Sequence, residues 1–263
     1  MEERKLYNEK DIIAKWNSEM YDHNEVETDD VEFALSIIEK APQQILEIAC
    51  GSGRFLVPMA KGGHNVVGLD FDKYMLNRIV TKISNAENIK WYHSDVIHDE
   101  WGTGYDVVVL GANFLCNIVS DMDYESAQKS LIQKSADALV SGGHVFIDYA
   151  YTSHPEKWFD NTEPRIIWQG EDSEGNYGKM MLLDNTFDKK SYTAECIRRF
   201  ELKLADGTDI VQEIPTKKHI VRPEQVHEWL EQVGFAIELE CGDYQGNPIG
   251  EQTNRVIIWA RKE

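Results

Sequence analysis

Positive charge is what this chain most lacks. Its 27 Lys and Arg stand against 46 Asp and Glu, a formal net charge of −19 over 263 residues. Such a field repels a phosphate backbone, and no Lys/Arg stripe offsets it, so DNA, tRNA and rRNA are disfavoured as partners. Long apolar runs are missing as well. None approaches the roughly 18 residues of a membrane helix. The start, Met1-Glu2-Glu3-Arg4-Lys5, has no apolar stretch behind it, so neither a membrane span nor a signal peptide is expected and a cytoplasmic location follows. Cysteine is sparse. Cys50, Cys116, Cys196 and Cys241 lie far apart without a Cys-any-any-Cys pair, which argues against zinc or thioredoxin-like chemistry and leaves no metal site to expect. The four are expected to be reduced, with Cys50 and Cys116 as packing residues beside a pocket.

What is present is most concentrated in Ile45-Leu46-Glu47-Ile48-Ala49-Cys50-Gly51-Ser52-Gly53-Arg54. An apolar run holding one acid reads as a buried strand. A Gly-Ser-Gly turn follows, then an amphipathic segment, Phe55 to Lys61, that reads as a helix. Gly51 and Gly53 lack a Cβ, so the backbone can turn sharply and approach a ligand closely, and the helix presents free N–H groups there. A second strand ends in an acid at Asn65-Val66-Val67-Gly68-Leu69-Asp70, which suits the two hydroxyls of a ribose. A dinucleotide fingerprint needs a third glycine where this chain has Leu56. An acid at Glu47 also suits a cationic ligand better than a pyrophosphate. An NAD-dependent oxidoreductase is thereby the weaker alternative.

From Gln44 to Ala150 strand and helix patterns alternate five times, which predicts a parallel sheet with helices on both faces. Ahead of it, Asp11 to Met20 and Asp29 to Lys40 read as helices. Beyond it the period changes. Arg165 to Trp168, Lys179 to Phe187, Tyr192 to Leu204 and Asp209 to Val221 read as strands separated by turn signals such as Glu174-Gly175-Asn176 and Asp206-Gly207. In the third of these, Tyr192, Ala194, Cys196, Phe200, Leu202 and Leu204 share one face, with Thr193, Glu195, Arg199, Glu201 and Lys203 on the other, the pattern of a half-exposed antiparallel strand. A helix from Glu224 to Val233 and two strands, Phe235 to Glu240 and Arg255 to Arg261, complete the chain. The expected fold is α/β: a doubly wound, Rossmann-like seven-stranded sheet whose last strand is antiparallel, with an inserted antiparallel β lid. Residues 1–150 and 223–263 are assigned to the sheet domain and 151–222 to the lid.

With Glu47 to Gly53 reading acid-any-any-small-Gly-any-Gly, the chain resembles the class I S-adenosylmethionine-dependent methyltransferases. Further motifs follow in order: Asp70, Met75, Ser94-Asp95-Val96, Tyr105 to Asn113, and Ser141 to Asp148. The resemblance implies S-adenosylmethionine as cofactor. It places Tyr21, Glu47, Ala49, Gly51, Gly53, Arg54, Asp70, Phe71, Met75, Ser94, Asp95, Val96, Leu110 and Asn113 around it, with Glu47 near the methionine ammonium, Asp70 on the ribose and Asp95 on the adenine amino group. In layout the chain is similar to glycine N-methyltransferase and the N-methyltransferases of amino-sugar nucleotides, with two departures. Ala150 stands where the former has an arginine for the substrate carboxylate, and Asn117 where it has a histidine. The implied function is methyl transfer to a small molecule, at an amine nitrogen, with a non-catalytic cofactor-binding regulator as a further alternative.

In-line displacement at a sulfonium methyl needs a positioned, deprotonated nucleophile and no fixed catalytic group. Substrate positioning is assigned to Tyr149, Tyr151 and Asn117, at the ends of the fifth and fourth strands. Asp148 ends a buried strand, where an unpaired acid is costly. An amine substrate, the methionine ammonium or a salt bridge to Lys or Arg would each satisfy it. A homodimer through the β insertion is the expected assembly.

Overall fold

The computed structural model describes residues 2–38, 40–83, 87–118 and 120–263, with side chains in the first helix from residue 9 onward. Met1 and the side chains of residues 2–8, on which the signal-peptide expectation bears, lie outside the described residues, as does Glu39 in the expected helix to Lys40. In chain order the elements are α1 (Glu2–Asn24), α2 (Asp29–Ile37), β1 (Gln44–Ile48), α3 (Leu56–Lys61), β2 (Asn65–Asp70), α4 (Lys73–Ile79), β3 (Ile89–His93) and β4 (Tyr105–Leu110). A 3-10 turn (Phe114–Cys116) leads to α5 (Tyr124–Ala138), β5 (Leu139–Ala150) and α6 (Pro155–Phe159). Then come β6 (Arg165–Glu171), β7 (Tyr177–Asp188), β8 (Thr193–Lys203), β9 (Asp209–His219), α7 (Pro223–Gln232), β10 (Phe235–Cys241) and β11 (Arg255–Lys262). Among the described residues no helix is long and apolar enough to cross a membrane.

The chain divides into two compact units. The larger comprises Thr28–Ser153 and His219–Glu263. Its seven-stranded sheet runs β10-β11-β5-β4-β1-β2-β3, parallel throughout except at β11, which pairs antiparallel with both β5 and β10. This is the expected α/β class. Residues alternate across each strand, so the sheet splits the core into two layers. Leu46, Ile48, Val108, Leu110, Ile147 and Tyr149 face α5 and α7. Ile45, Val107, Val109 and Phe146 face α3 with its loop and α2. The buried positions of β1 and β4 are all apolar except Glu47, as strands covered on both faces require. The strand order reverses between β1 and β4. Ligands of such sheets bind outside the carboxyl ends of the strands at that switch point.

The smaller unit comprises Met1–Glu27 and His154–Lys218. Its four-stranded antiparallel sheet, β6-β7-β8-β9, packs one face on α1. The sequence assigned residues 1–27 to the α/β domain, and the structure places them here instead. The reason is apolar burial. Ile13, Trp16 and Met20 enter a core with Met180, Phe200, Leu202 and Ile210. Two glycines make room for them: a Cβ on Gly178 would meet Trp16 at 2.8 Å, and one on Gly170 would meet Met20 Sδ at 2.8 Å. Polar contacts fix the helix further. Trp16 Nε1 donates to the Gly170 carbonyl at 3.2 Å, and Glu19 accepts from the Ser173 N–H and hydroxyl at 2.8 Å each. Trp16→Ala removes a fully buried indole from this core. The expected loss is about 3–5 kcal/mol of unfolding free energy, read as a lowered denaturant midpoint at unchanged slope.

Candidate cofactor site

The glycine loop leaves β1 through three left-handed residues, Ala49 (φ 56°), Gly51 (φ 54°) and Gly53 (φ 81°). For the two glycines this costs little. For Ala49 it stores strain of the kind that collects at functional sites. A Cβ on Gly51 would come within 3.2 Å of Met75 Cε, so the backbone approaches the α4 side of the site without a side chain between. Loop and neighbouring strand are tied by hydrogen bonds. The Cys50 N–H donates to the Leu69 carbonyl at 3.1 Å, and the Gly51 N–H donates to Asp70 Oδ2 at 2.8 Å. Asp70 Oδ1 accepts from the Asp72 N–H at 2.7 Å, and Asp72 in turn caps α4 through the Tyr74 and Met75 N–H groups. Two backbone bonds leave the Asp70 carboxylate with unused lone pairs. Burial pushes its pKa up, partly offset by those same bonds.

Glu47 is buried on the α2/α3 face of β1, and its Oε2 has no hydrogen-bond partner. Burial pushes the carboxyl well above its ordinary range, although Arg54 and a bond from the Leu56 N–H draw it down. Arg54 itself is held in a fork by Asp30 from the first turn of α2, at 2.7 and 2.5 Å. An unpartnered carboxylate oxygen in a buried site calls for a cation.

Across the switch point, Ala112 and Asn113 are also left-handed. The Asn113 Oδ1 accepts from the Ala150 N–H at 2.6 Å, and its N–H donates to the Asp148 carbonyl at 3.2 Å, joining the ends of β4 and β5. Asp148 is fully buried. Arg255 Nη1 of β11 donates to it at 2.6 Å and the Tyr244 hydroxyl at 3.1 Å. The salt bridge, one of three readings open from sequence, is the one formed. Burial pushes Asp148 up and Arg255 draws it down, while the Tyr244 hydroxyl is pushed up by burial and by Asp148.

The remaining assigned residues separate by alternation and exposure. Ser94 is buried and donates to Asp99 at 3.0 Å, and Asp95 is exposed, accepting from the Ile97 N–H. Phe71 is 62% exposed, an aromatic standing beside Asp70. Leu110 and Val96 face the core, so only their backbone is available at a strand end. Asn117 is exposed and Tyr151 half-buried. Tyr21 belongs to the smaller unit, edge-on to Trp168 at 6.4 Å. Tyr149 requires a correction. One residue past Asp148, it points to the opposite face and is buried with Leu115, Cys116 and Val221, its hydroxyl without a partner and pushed well up by burial. It is a core side chain. Asp30 and Arg255 were not recognised from the sequence as site residues. Both act through partners far away in the chain, and a single sequence carries no signal for such pairs.

Residues 45–143 match the family described as methyltransferase domain. The matched segment is a methyltransferase domain. Over 222 residues it is 23% identical to the putative methyltransferase YqeM of Bacillus subtilis, covering 83% of this chain and 84% of that one. In fold it is similar to an S-adenosylmethionine-dependent methyltransferase from Clostridium acetobutylicum, with TM-score 0.70, 14% identity and coverage of 98% and 99% of the two chains. It is similar to the same degree to the sugar N-methyltransferase KedS8 from Streptoalloteichus, with TM-score 0.70, 14% identity and coverage of 92% and 91%. The cofactor of the methyltransferase is S-adenosylmethionine, and the residues fit it. Glu47 offers a free buried oxygen to an ammonium, and Asp70 offers open lone pairs to a diol.

Two measurements test this assignment. Asp70→Ala should weaken S-adenosylmethionine binding by roughly 2 kcal/mol, two hydrogen bonds to a charged acceptor, read by calorimetry. Glu47 has a raised pKa and binds an ammonium only as the carboxylate. Affinity should therefore rise as pH rises through that pKa, with proton release on binding that scales with buffer ionisation enthalpy. Glu47→Gln should abolish both effects.

Proposed function

We propose that the methyltransferase acts on a small molecule and delivers the methyl group to an amine nitrogen. The observation that carries this reading is the charge at the carboxyl ends of the strands. Four carboxylates, Asp30, Glu47, Asp70 and Asp148, stand there against two guanidiniums, Arg54 and Arg255. Bound S-adenosylmethionine supplies an electrophilic methyl on a sulfonium. An amine attacking it acquires positive charge as the bond forms, whereas an alcohol must first lose a proton. Preorganised negative charge favours the first course. The net charge of −19 points away from nucleic acids as acceptors. The likeness to a sugar N-methyltransferase in fold agrees with this choice.

Asn117 and Tyr151 remain the residues to which we assign acceptor positioning, at the ends of β4 and β5. Positioning the lone pair in line with the methyl group is the protein's main task, since the leaving sulfur departs neutral. The test is a panel of small amines and matched hydroxyl compounds, with S-adenosylhomocysteine release as the readout. Amines should turn over with a rate that rises with pH as the free base accumulates. Turnover of hydroxyl compounds alone would overturn the nitrogen assignment.

A further inference from the structure

The antiparallel sheet of the smaller unit carries its charges unequally on its two faces. On one face three cations are paired with carboxylates, and Lys203 stands exposed there without a pair among the described residues. Lys179 pairs with Glu201 at 2.8 Å, Arg199 with Glu201 and Glu213 at 2.7 Å each, and Lys217 with Glu195 at 2.7 Å. The other face is the one that α1 packs on. There Gly170, Gly178 and Leu202 form one row across β6, β7 and β8, Trp168, Met180 and Phe200 the next, and Arg165, Leu182 and Arg198 the row after. Residues directly opposite in a ladder share a face, so Arg198 is a charged residue at an inward position of β8, following Phe200 and Leu202 of the apolar core. It breaks the alternation by which the sequence assigned that strand.

Neither Arg165 nor Arg198 has a carboxylate partner among the described residues. Arg198 is half-buried, and its buried Nε makes no hydrogen bond. Trp168 Nε1, one row away, is a second buried N–H without an acceptor. A buried guanidinium N–H without an acceptor is costly in a folded protein, and this one stands in a chain with 46 acids available to match its charge. Cys196, two residues before Arg198, sits among the same cations. Burial pushes its thiol up, while Lys218, Arg198 and Arg165 draw it down. Of the buried atoms without a partner in this unit, Trp168 Nε1 and Arg198 Nε are donors on the sheet and Asn17 Oδ1, on α1, is an acceptor.

We propose that the Arg165–Arg198 row, with Trp168 Nε1 beside it, binds an anionic, acceptor-rich group, a carboxylate or a phosphate. The two arginines lie two strand spacings apart, on the order of 10 Å between Cα atoms. Their side chains can converge on one anion or hold two neighbouring anionic groups. Arg198 supplies a planar fork suited to bidentate contact, and Trp168 supplies a further donor. The residues of this site all lie within the smaller unit.

Cys196 is the reporter. It is half-buried, whereas Cys50, Cys116 and Cys241 are buried, so it is the thiol within reach of a small alkylating reagent. The rate of Cys196 alkylation by iodoacetamide, read by peptide mass spectrometry on the full chain, is compared with and without inorganic phosphate, pyrophosphate or succinate, against sodium chloride at matched ionic strength. Bound anion should protect. At a concentration about tenfold above its dissociation constant the rate should fall roughly tenfold. Phosphate or pyrophosphate acting alone identifies a phosphate site, and succinate acting alone a carboxylate site. Arg198→Gln should lose the protection ratio, Arg198→Lys should keep only part of it, and Arg165→Gln, at an exposed position, should reduce it. Arg261→Gln, which alters a surface pair with Glu238, should leave it unchanged. Absence of protection in the native chain, equal protection by chloride, or a full ratio in Arg165→Gln and Trp168→Phe would each overturn the proposal, even where Arg198→Gln does not fold. Protection by phosphate in a protein that transfers no methyl group would overturn the functional reading and leave the anion site standing.

Discussion

The cofactor end of the methyltransferase depends on a single buried guanidinium. Arg54 follows the glycine loop, grips Asp30 of α2 with both terminal nitrogens, and draws down the pKa of Glu47 in β1. Desolvated acids in such proximity repel one another and shed charge unless a cation is fixed among them. One side chain therefore links a helix, a loop and a strand that have no sequence neighbourhood in common. It does so incompletely, since one oxygen of Glu47 stays unpartnered. The same balance recurs at the end of β5, where Arg255 and Tyr244 satisfy Asp148. The first site is built with a deficit of positive charge and the second without one. That difference separates an acid held ready for a cationic ligand from an acid that serves the fold.

The period-two rule of the strands distributes these roles. Glu47 and Asp148 share a face of the sheet, and the residues beside them, Ile48 and Tyr149, share the other. A polar residue at a strand end faces the site or the core according to one step of register. Sequence motifs locate the strand end well and leave the facing of each side chain to the pleat. Tyr149 is the instructive case. Its position next to an acid at the end of β5 made it a substrate candidate, and the pleat turned it inward.

The parts of the fold that were legible were those written locally. The apolar run before Gly51, the glycines themselves, Asp70 at the end of β2 and the alternation up to Ala150 each specify their own element, and together they specify the parallel sheet. The four strands of the smaller unit were legible for the same reason. Its boundary was not, because an amphipathic helix states that it has an apolar face and not what covers it. Ile13, Trp16 and Met20 would suit either sheet. The pairs Asp30–Arg54 and Asp148–Arg255 were hidden for the related reason that charge partners need no fixed spacing. Arg198 left a trace, a cation at an inward position, which the alternation argument passed over because every other residue on that face fitted it.

The smaller unit has an order-of-synthesis problem. Its helix is made before the parallel run from β1 to β5, and the sheet that covers Trp16 begins at Arg165, after that run. At the usual pace of translation the helix waits on the order of ten seconds for its partner. During that interval Ile13, Trp16 and Met20 have nowhere native to go. The growing chain thus carries an exposed apolar stripe while the neighbouring unit is assembling around a sheet of its own. The acidic composition serves a purpose in that window, since like charges on the nascent chain oppose the sticking that the stripe invites.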